Sequence, residues 1–233
     1  MEVLFTDNFQ PDVFLWGIRV GEPMIALTSL LVSSFCIFAW LRLGKYPRKD
    51  ISLRFFRAFF LLMGLSSFTG GMIGHAFMHL FPFIFKTPGW VLGMLAVSAL
   101  EQASILRAKP YLGAKAALAF TWLNIAQLTV ALSFVFATLW FPAVEMHSAF
   151  GFLIVVAPLE GIMFFKTRSP ISSFVLSGIL FLVGAVATHI LKVSAGVWFC
   201  YFDIAHLFMC GAIWTFMLGA ERLTTSELRL TAV

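Results

Sequence analysis

The sequence has little charge: only 12% of its 233 residues are Asp, Glu, Lys or Arg, whereas 61% are hydrophobic. Soluble domains carry about 25% charged residues. A water-soluble chain of this length would have to expose large apolar patches, which monomeric soluble proteins avoid. The composition therefore excludes a soluble enzyme and a disordered chain, and it predicts an integral membrane protein.

Cysteine is also scarce, and its three positions exclude a disulfide scaffold. Cys36, Cys200 and Cys210 form neither an even set nor a CxxC pair, and each lies in an apolar stretch. The sequence also lacks internal repeats, long polar segments and basic runs interleaved with aromatic residues. We therefore expect residues 1–233 to form a single transmembrane domain with no nucleic-acid partner.

Seven apolar segments are long enough to cross a bilayer, which takes about 20 residues in a helix. Short separators rich in Pro and Gly divide them, and the alternating pattern of a transmembrane barrel is missing. We predict an all-α, polytopic membrane protein with a seven-transmembrane-helix bundle. The predicted spans are Gly21–Leu43, Ser52–Phe81, Pro88–Arg107, Leu112–Thr138, Phe141–Phe165, Pro170–Lys192 and Ala195–Leu223.

Lysine and arginine are unevenly divided between the two sides of the predicted bundle. Thirteen lie in connections 1–2, 3–4 and 5–6 or near the C-terminus, whereas only Arg19, Lys86 and Lys192 lie on the opposite side. The positive-inside rule then places the N-terminus outside and the C-terminal tail, residues 224–233, in the cytoplasm. Residues 1–20 form a segment that we expect at the membrane interface because it is rich in aromatic and apolar residues: Phe5, Phe9, Val13, Phe14 and Trp16.

All five histidines fall in the predicted outer half of the bundle. His75 and His79 are four residues apart, a spacing by which one α-helix presents two ligands to a metal. Asp203 and His206 lie well inside the seventh span, where a carboxylate needs a partner or a proton and usually has a function. We predict His75, His79 and His206 as zinc ligands, and Asp203 as a catalytic residue that orients a ligand or acts as a base.

A second polar group lies nearer the predicted cytoplasmic side. Glu101 and Glu160 are each expected to form a structural ion pair, with either Arg107 or Lys115 as the partner. Amide side chains commonly join helices near the middle of a membrane. Two amides of the fourth span are expected to do so here, Asn124 and Gln127.

The span pattern and several of these residues resemble the superfamily of seven-helix membrane hydrolases that includes alkaline ceramidases and adiponectin-type receptors. His75 matches the histidine of helix 2 in that group, and Tyr201–His206 resembles its helix 7 motif. The resemblance implies a zinc site for amide hydrolysis. Three features differ from the pattern: Phe202 replaces the first histidine of helix 7, Gly71 replaces a serine of helix 2, and Lys86–Trp90 contains no Asp.

Two functions follow from these observations. The first is a metal-dependent membrane hydrolase that acts on a lipid amide or ester near the outer leaflet. The second is a non-catalytic seven-helix sensor, a receptor for a lipid or small molecule, or a subunit of a membrane complex. A haem held by two histidines on facing helices is a third, less favoured alternative. Membrane lipids are the expected partners.

Two segments, Gly21–Pro23 and Gly70–His75, also resemble an uncharacterised bacterial seven-helix membrane family. That resemblance implies no activity. Neither Asn8 nor Asn124 lies in a glycosylation sequon, which agrees with a bacterial origin. The expected location is therefore a bacterial inner membrane.

Overall fold

The computed structural model is built from long helices, as the all-α prediction requires. It describes residues 10–46 and 50–230, with side chains described as far as Thr224. The predicted interfacial residues Phe5 and Phe9, and the end of the predicted tail, therefore lie outside the described residues. Within the described part of the chain, seven helices are long and apolar enough to cross a membrane.

These seven helices follow one another with short connections, close to the predicted bounds. Two of them contain a π-helical segment of seven residues, a feature that is frequent at functional sites. The helices are α1 (Pro23–Leu43), α2 (Ile51–Ala76, π-helical over Gly70–Ala76), α3 (Thr87–Leu112), α4 (Ala114–Thr138), α5 (Pro142–Thr167, π-helical over Phe150–Val156), α6 (Pro170–Ile190) and α7 (Tyr201–Leu230).

The predictions were wrong at one end of the second and seventh spans. Residues 77–81 leave the helix, and Met78–Leu80 form a short 3₁₀ helix. The extended backbone of Phe81, which ends this segment, is the conformation that the following Pro82 favours. Residues 195–200 form a loop that is closed by a bridge between Gly196 and Phe199. Both segments are apolar, so hydropathy alone did not separate them from the helices.

A small β-hairpin precedes α1, and the all-α prediction missed it. Strand β1 (Val13–Leu15) pairs antiparallel with β2 (Ile18–Val20). The two turn residues, Trp16 and Gly17, have φ of 50° and 81°, as a two-residue type I′ turn requires. Trp16 is 99% exposed and Phe14 is also exposed, so the hairpin presents aromatic side chains of the kind found at membrane interfaces.

The order of packing places α1 between α2 and α7, whereas α3 packs against α2, α4 and α5, and α6 packs against α7. The largest buried cluster fills the space between α1, α2, α3, α6 and α7, and includes Phe56, Phe60 and Phe216. Helix α4 lies at the periphery, with only Ala117 and Val135 buried among its apolar residues. Helix α1 therefore contacts both helices that carry the predicted zinc ligands, α2 and α7.

The bundle has two chemically different ends. The histidine end carries the hairpin and the connections α2–α3, α4–α5 and α6–α7, next to His75 and His206. The arginine end carries the connections α1–α2, α3–α4 and α5–α6. Near it, Arg42 of α1 pairs with Glu221 of α7.

Candidate functional site

Asp203 is a fully buried carboxylate in the first turn of α7, at the histidine end. Its Oδ2 accepts hydrogen bonds from the side-chain amide of Gln10 at 2.7 Å and from the backbone N–H of Cys200 at 2.8 Å. Its Oδ1 accepts from the hydroxyl of Thr28 at 3.0 Å. Three donors therefore compensate the loss of water around this carboxylate, as a buried charge requires.

Gln10 connects the segment before the hairpin to both α1 and α7. While its Nε2 donates to Asp203, its Oε1 accepts from the backbone N–H groups of Met24 and Ile25, at 2.9 and 3.2 Å. The residue that precedes α1, Glu22, provides no side-chain cap. Gln10 therefore satisfies N–H groups that a helix leaves unpaired at its beginning.

Thr28 of α1 joins Asp203 to His206 and determines which ring nitrogen of His206 carries a proton. The Thr28 hydroxyl faces two acceptors, Asp203 Oδ1 and the carbonyl of Ile25, and its oxygen lies 2.8 Å from His206 Nδ1. When Asp203 is ionised and takes the hydroxyl proton, His206 donates its Nδ1–H to the Thr28 oxygen. In the neutral imidazole, Nε2 then carries the lone pair.

His75 has the same arrangement at the end of α2. Its Nδ1 lies 2.6 Å from Oε2 of Glu22, a buried carboxylate, so the ring donates Nδ1–H to that oxygen. The backbone N–H of Gly21 donates to the carbonyl of Ala76 at 2.8 Å, which holds the start of α1 against the π-helical end of α2. Nε2 of neutral His75 therefore carries a lone pair as well.

The two imidazoles belong to one neighbourhood. The His75 ring packs against Phe202 of α7 at 6.2 Å between centroids, and Phe202 lies one helical turn before His206. The ring of His189 also packs against Phe202, at 5.0 Å between centroids, and His189 Nε2 lies 3.7 Å from Glu145 Oε1. We call the group formed by Gln10, Glu22, Thr28, His75, Asp203 and His206 the His75–His206 site.

His79, the third predicted ligand, occupies a different kind of position. The spacing argument assumed one α-helix through His75 and His79, but the helix is π-helical over Gly70–Ala76 and ends there. That assumption was wrong: His79 lies in the separate 3₁₀ helix and is exposed. Within the described residues, no group of three or more His, Cys, Asp or Glu side chains is arranged to hold a metal ion.

The comparisons with known proteins give a family. A model described as a family of unknown function, DUF6962, matches residues 24–225. The chain belongs to this family. No curated protein and no solved structure matches this chain.

The matched DUF6962 segment contains most of the His75–His206 site. Thr28, His75, Asp203 and His206 lie inside it, whereas Gln10 and Glu22 precede it. The sequence analysis missed Gln10, Thr28 and Glu22 as site residues. Only Glu22 carried a signal, since a carboxylate directly before an apolar span is costly to bury without a partner.

Gly71 explains how the α1 helix of this DUF6962 member reaches the site. A Cβ at position 71 would lie 2.9 Å from Cβ of Ser29 and 3.1 Å from the carbonyl oxygen of Ala26. Only a glycine allows so close an approach of α1 to α2. The space beneath His75 is thus filled by α1, and Ser29 occupies the place where a serine side chain at 71 would lie.

The polar residues nearer the arginine end form separate contacts. Glu160 pairs with Arg107, so the predicted ion pair is confirmed for this glutamate. Glu101 instead accepts a hydrogen bond from the Gln127 amide at 2.9 Å. Asn124 donates to a backbone carbonyl of α3 at 2.9 Å, so both amides of α4 join it to α3, as predicted.

Proposed function

We propose that the His75–His206 site binds a divalent metal ion such as zinc, and that the protein hydrolyses a lipid amide or ester at the membrane surface. The matched arrangement of the two histidines carries this proposal. Each Nδ1–H donates to an oxygen that is, or is held by, a buried carboxylate, and each Nε2 keeps its lone pair. Histidines that ligate zinc through one ring nitrogen usually donate a hydrogen bond from the other to an oxygen in this way.

The donor set fits zinc in kind, because neutral imidazole nitrogen is a common ligand of this ion. His75 and His206 are the two residues that would hold it. A catalytic zinc usually has three protein ligands. No group of three His, Cys, Asp or Glu side chains in the described part of the chain is arranged to hold a metal ion, so this proposal uses two imidazoles. The remaining positions would fall to water and substrate.

Asp203 acts in this proposal as a positioning residue. Both of its oxygens already accept hydrogen bonds, from Gln10, Cys200 and Thr28, so it has little capacity to take a proton from water. Through Thr28 it fixes the ring of His206 with Nε2 as the ligand atom. Of the two roles predicted for Asp203, the hydrogen bonds favour orientation over general base. A bound zinc ion would supply Lewis acidity for the hydrolysis.

The surroundings of the site suit an amphipathic substrate. The site lies at the histidine end, where Phe202 packs against two histidines and the nearby loop exposes Val197 and Trp198. Exposed tryptophans are typical of the interface between hydrocarbon and water. A lipid with a cleavable amide or ester at headgroup depth fits this mixture of imidazole and apolar surface.

In this proposal the protein lies in a bacterial inner membrane, and its histidine end faces away from the cytoplasm. This orientation rests on the uneven distribution of lysine and arginine: thirteen of the sixteen lie towards the arginine end. A C-terminal fluorescent protein, which matures in the bacterial cytoplasm, should give bright cells, and a C-terminal alkaline phosphatase should stay inactive. The opposite pattern would contradict this orientation.

A second candidate function is supported by the incomplete ligand set. Two oriented imidazoles, of which His75 packs against Phe202, could also recognise a small molecule or a lipid headgroup without metal or hydrolysis. The protein would then be a seven-helix receptor or sensor. The two candidates differ in whether purified protein carries zinc.

Elemental analysis of the full-length protein, purified in detergent, separates them. The wild type should carry zinc in stoichiometric amount, and His75→Ala and His206→Ala should each lose it. His189→Ala is the matched control, because His189 lies at the same end and packs on Phe202 without joining the hydrogen-bonded site. Vesicles of N-acyl and O-acyl lipids then test hydrolysis. Wild-type protein that takes up no zinc and cleaves no lipid would contradict the hydrolase and favour the receptor.

A further inference from the structure

A second buried polar cluster lies between α3, α4 and α5, separate from the His75–His206 site. Gln127 donates a side-chain N–H to Glu101 Oε1 at 2.9 Å, and its own Oε1 lies 2.7 Å from His147 Nδ1. The second ring nitrogen, His147 Nε2, lies 3.0 Å from the carbonyl oxygen of Met94. Glu101 is fully buried and His147 is 3% exposed. We call Glu101, Gln127 and His147 the Glu101–His147 relay.

The hydrogen bonds of the relay fix how many protons it holds. The Met94 carbonyl can only accept, so His147 Nε2 carries a proton. With the Gln127 oxygen towards the ring, Nδ1 must carry a proton too, and His147 is an imidazolium. The Gln127 amide then donates to an ionised Glu101. The two charges compensate each other through one neutral side chain.

Rotating the Gln127 amide by half a turn gives a second arrangement with the same number of protons. The NH₂ group now donates to an unprotonated Nδ1, and the amide oxygen faces Glu101. Glu101 must then be a carboxylic acid that donates to that oxygen. Every contact is again satisfied, and the net charge is again zero.

Removing or adding one proton breaks this balance. Without the shared proton, His147 has a single N–H for two acceptors, and the ionised Glu101 is left without a compensating charge. With one more proton, an imidazolium and a carboxylic acid give a buried net positive charge. An uncompensated buried charge is strongly unfavourable, so both states are disfavoured.

The backbone around Glu101 is shaped to admit its carboxyl group. A Cβ at position 151 would lie 2.5 Å from Glu101 Oε1 and from Val97 Cγ1, so Gly151 leaves the space that this carboxyl group occupies. Gly151 belongs to the π-helical segment of α5 and lies four residues after His147. The second carboxyl oxygen, Glu101 Oε2, is buried with no hydrogen-bond partner in the described part of the chain. Such an oxygen is tolerated better in a neutral acid than in a carboxylate.

Other charged groups near the relay are already paired among themselves. Towards the arginine end, Arg107 of α3 pairs with Glu160 of α5. Towards the histidine end, Glu145 of α5 lies 3.7 Å from His189 of α6 and is 46% exposed. The remaining charged groups of these helices are lysines and an arginine near the helix ends: Lys86, Lys109, Lys115, Lys166 and Arg168.

We propose that the Glu101–His147 relay is a binding site for a single proton, which resides on His147 or on Glu101 according to the orientation of the Gln127 amide. The proton is the ligand, and the Gln127 amide turns to match whichever of the two side chains, His147 on α5 or Glu101 on α3, holds it. The site therefore couples the protonation of two spans inside the membrane. It does not depend on zinc or on the His75–His206 site.

Two spectroscopic signatures of the full-length protein in lipid nanodiscs at neutral pH test this. Nitrogen-15 NMR of histidine-labelled protein reports whether His147 has one or two ring protons, with His147→Gln for assignment. An infrared difference spectrum between wild type and Glu101→Gln reports whether Glu101 is a carboxylic acid. We expect either the imidazolium or the acid, or an exchanging mixture whose populations sum to one proton. Two results would overturn the proposal: a neutral His147 beside an ionised Glu101, or a fully imidazolium His147 beside a fully protonated Glu101.

Further variants keep the test decisive if Glu101→Gln does not fold. Glu101→Asp keeps the carboxyl group and should retain whichever signal the wild type shows, acid or carboxylate, at a shifted frequency. Gln127→Leu removes the amide, so we expect a neutral His147 and a protonated Glu101; an ionised Glu101 in this variant would contradict the relay. Asn124→Leu, one turn away on α4, should leave the wild-type state unchanged, whereas a change in that state would contradict the specific role of Gln127.

Discussion

Gln10 Nε2 donates to Asp203 Oδ2 at 2.7 Å across 193 positions of sequence, and so ties the segment before the hairpin to α7. The same carboxylate holds Thr28 of α1. Asp203 is therefore a structural hub as well as the residue that orients His206. The free energy of unfolding and the ligand chemistry of the site should both depend on it.

Asp203→Asn should destabilise the protein by about 3 kcal/mol, because an NH₂ group would replace one of the two oxygens that accept hydrogen bonds from buried donors. Thermal unfolding of the detergent-solubilised protein measures the effect. Glu145→Gln is the matched control at the same end, since Glu145 is 46% exposed, and it should change the midpoint little. Equal midpoints for Asp203→Asn and the wild type would contradict the role of Asp203 as a hub.

Thr28→Val keeps the shape of the side chain but removes the hydroxyl that links Asp203 to His206. Loss of a group that orients a metal ligand typically weakens metal binding about 10- to 100-fold. Zinc titration by calorimetry should show this loss with the stoichiometry retained. Thr129→Val, whose hydroxyl bonds only within α4, is the control and should bind like the wild type.

Gly71→Ala and Gly70→Ala form a neighbouring pair with opposite expectations. A Cβ at 71 meets Ser29 at 2.9 Å, whereas one at 70 has nothing within 4 Å. Overpacking of this kind costs about 1–3 kcal/mol, so Gly71→Ala should lower the unfolding midpoint and Gly70→Ala should not. If both variants have the same unfolding midpoint as the wild type, α1 does not approach α2 as closely as described.

Arg107→Met should leave Glu160 as a buried, uncompensated carboxylate, at a cost of about 3–5 kcal/mol. The double variant Arg107→Met/Glu160→Gln should recover most of that loss. Arg19→Met removes an exposed ion pair with Asp12 and should cost about 0–1 kcal/mol. Chemical unfolding of the three variants measures the contrast, and a double variant no more stable than Arg107→Met would contradict it.

Rules that depend on composition, such as the length of apolar segments and the scarcity of charge within them, gave correct predictions from the sequence. Apolar length predicted all seven helices, and the rarity of charge in a span singled out Asp203. It also predicted an ion pair for Glu160, although the sequence left Arg107 and Lys115 open as the partner and the structure shows Arg107. The rule on helix spacing failed at His79, because no pattern in the sequence showed that α2 becomes π-helical at Gly70 and ends at Ala76.

The hydrogen-bond partners could not be predicted because they depend on which helices are neighbours. Thr28 looks like any small residue in an apolar helix, and Gln10 precedes every predicted span. Only the position of α1 between α2 and α7 brings Thr28 to His206 and Glu22 to His75. Long-range packing, rather than local pattern, therefore assembles the candidate site.

The most direct measurement of the central claim is a double-mutant cycle on zinc-induced thermal stabilisation, with the wild type, His75→Ala, His206→Ala and the double variant. If both imidazoles bind one ion, each single substitution removes most of the stabilisation by zinc, and the double variant loses little more. Independent, additive losses, or a wild type that zinc does not stabilise, would contradict a shared site.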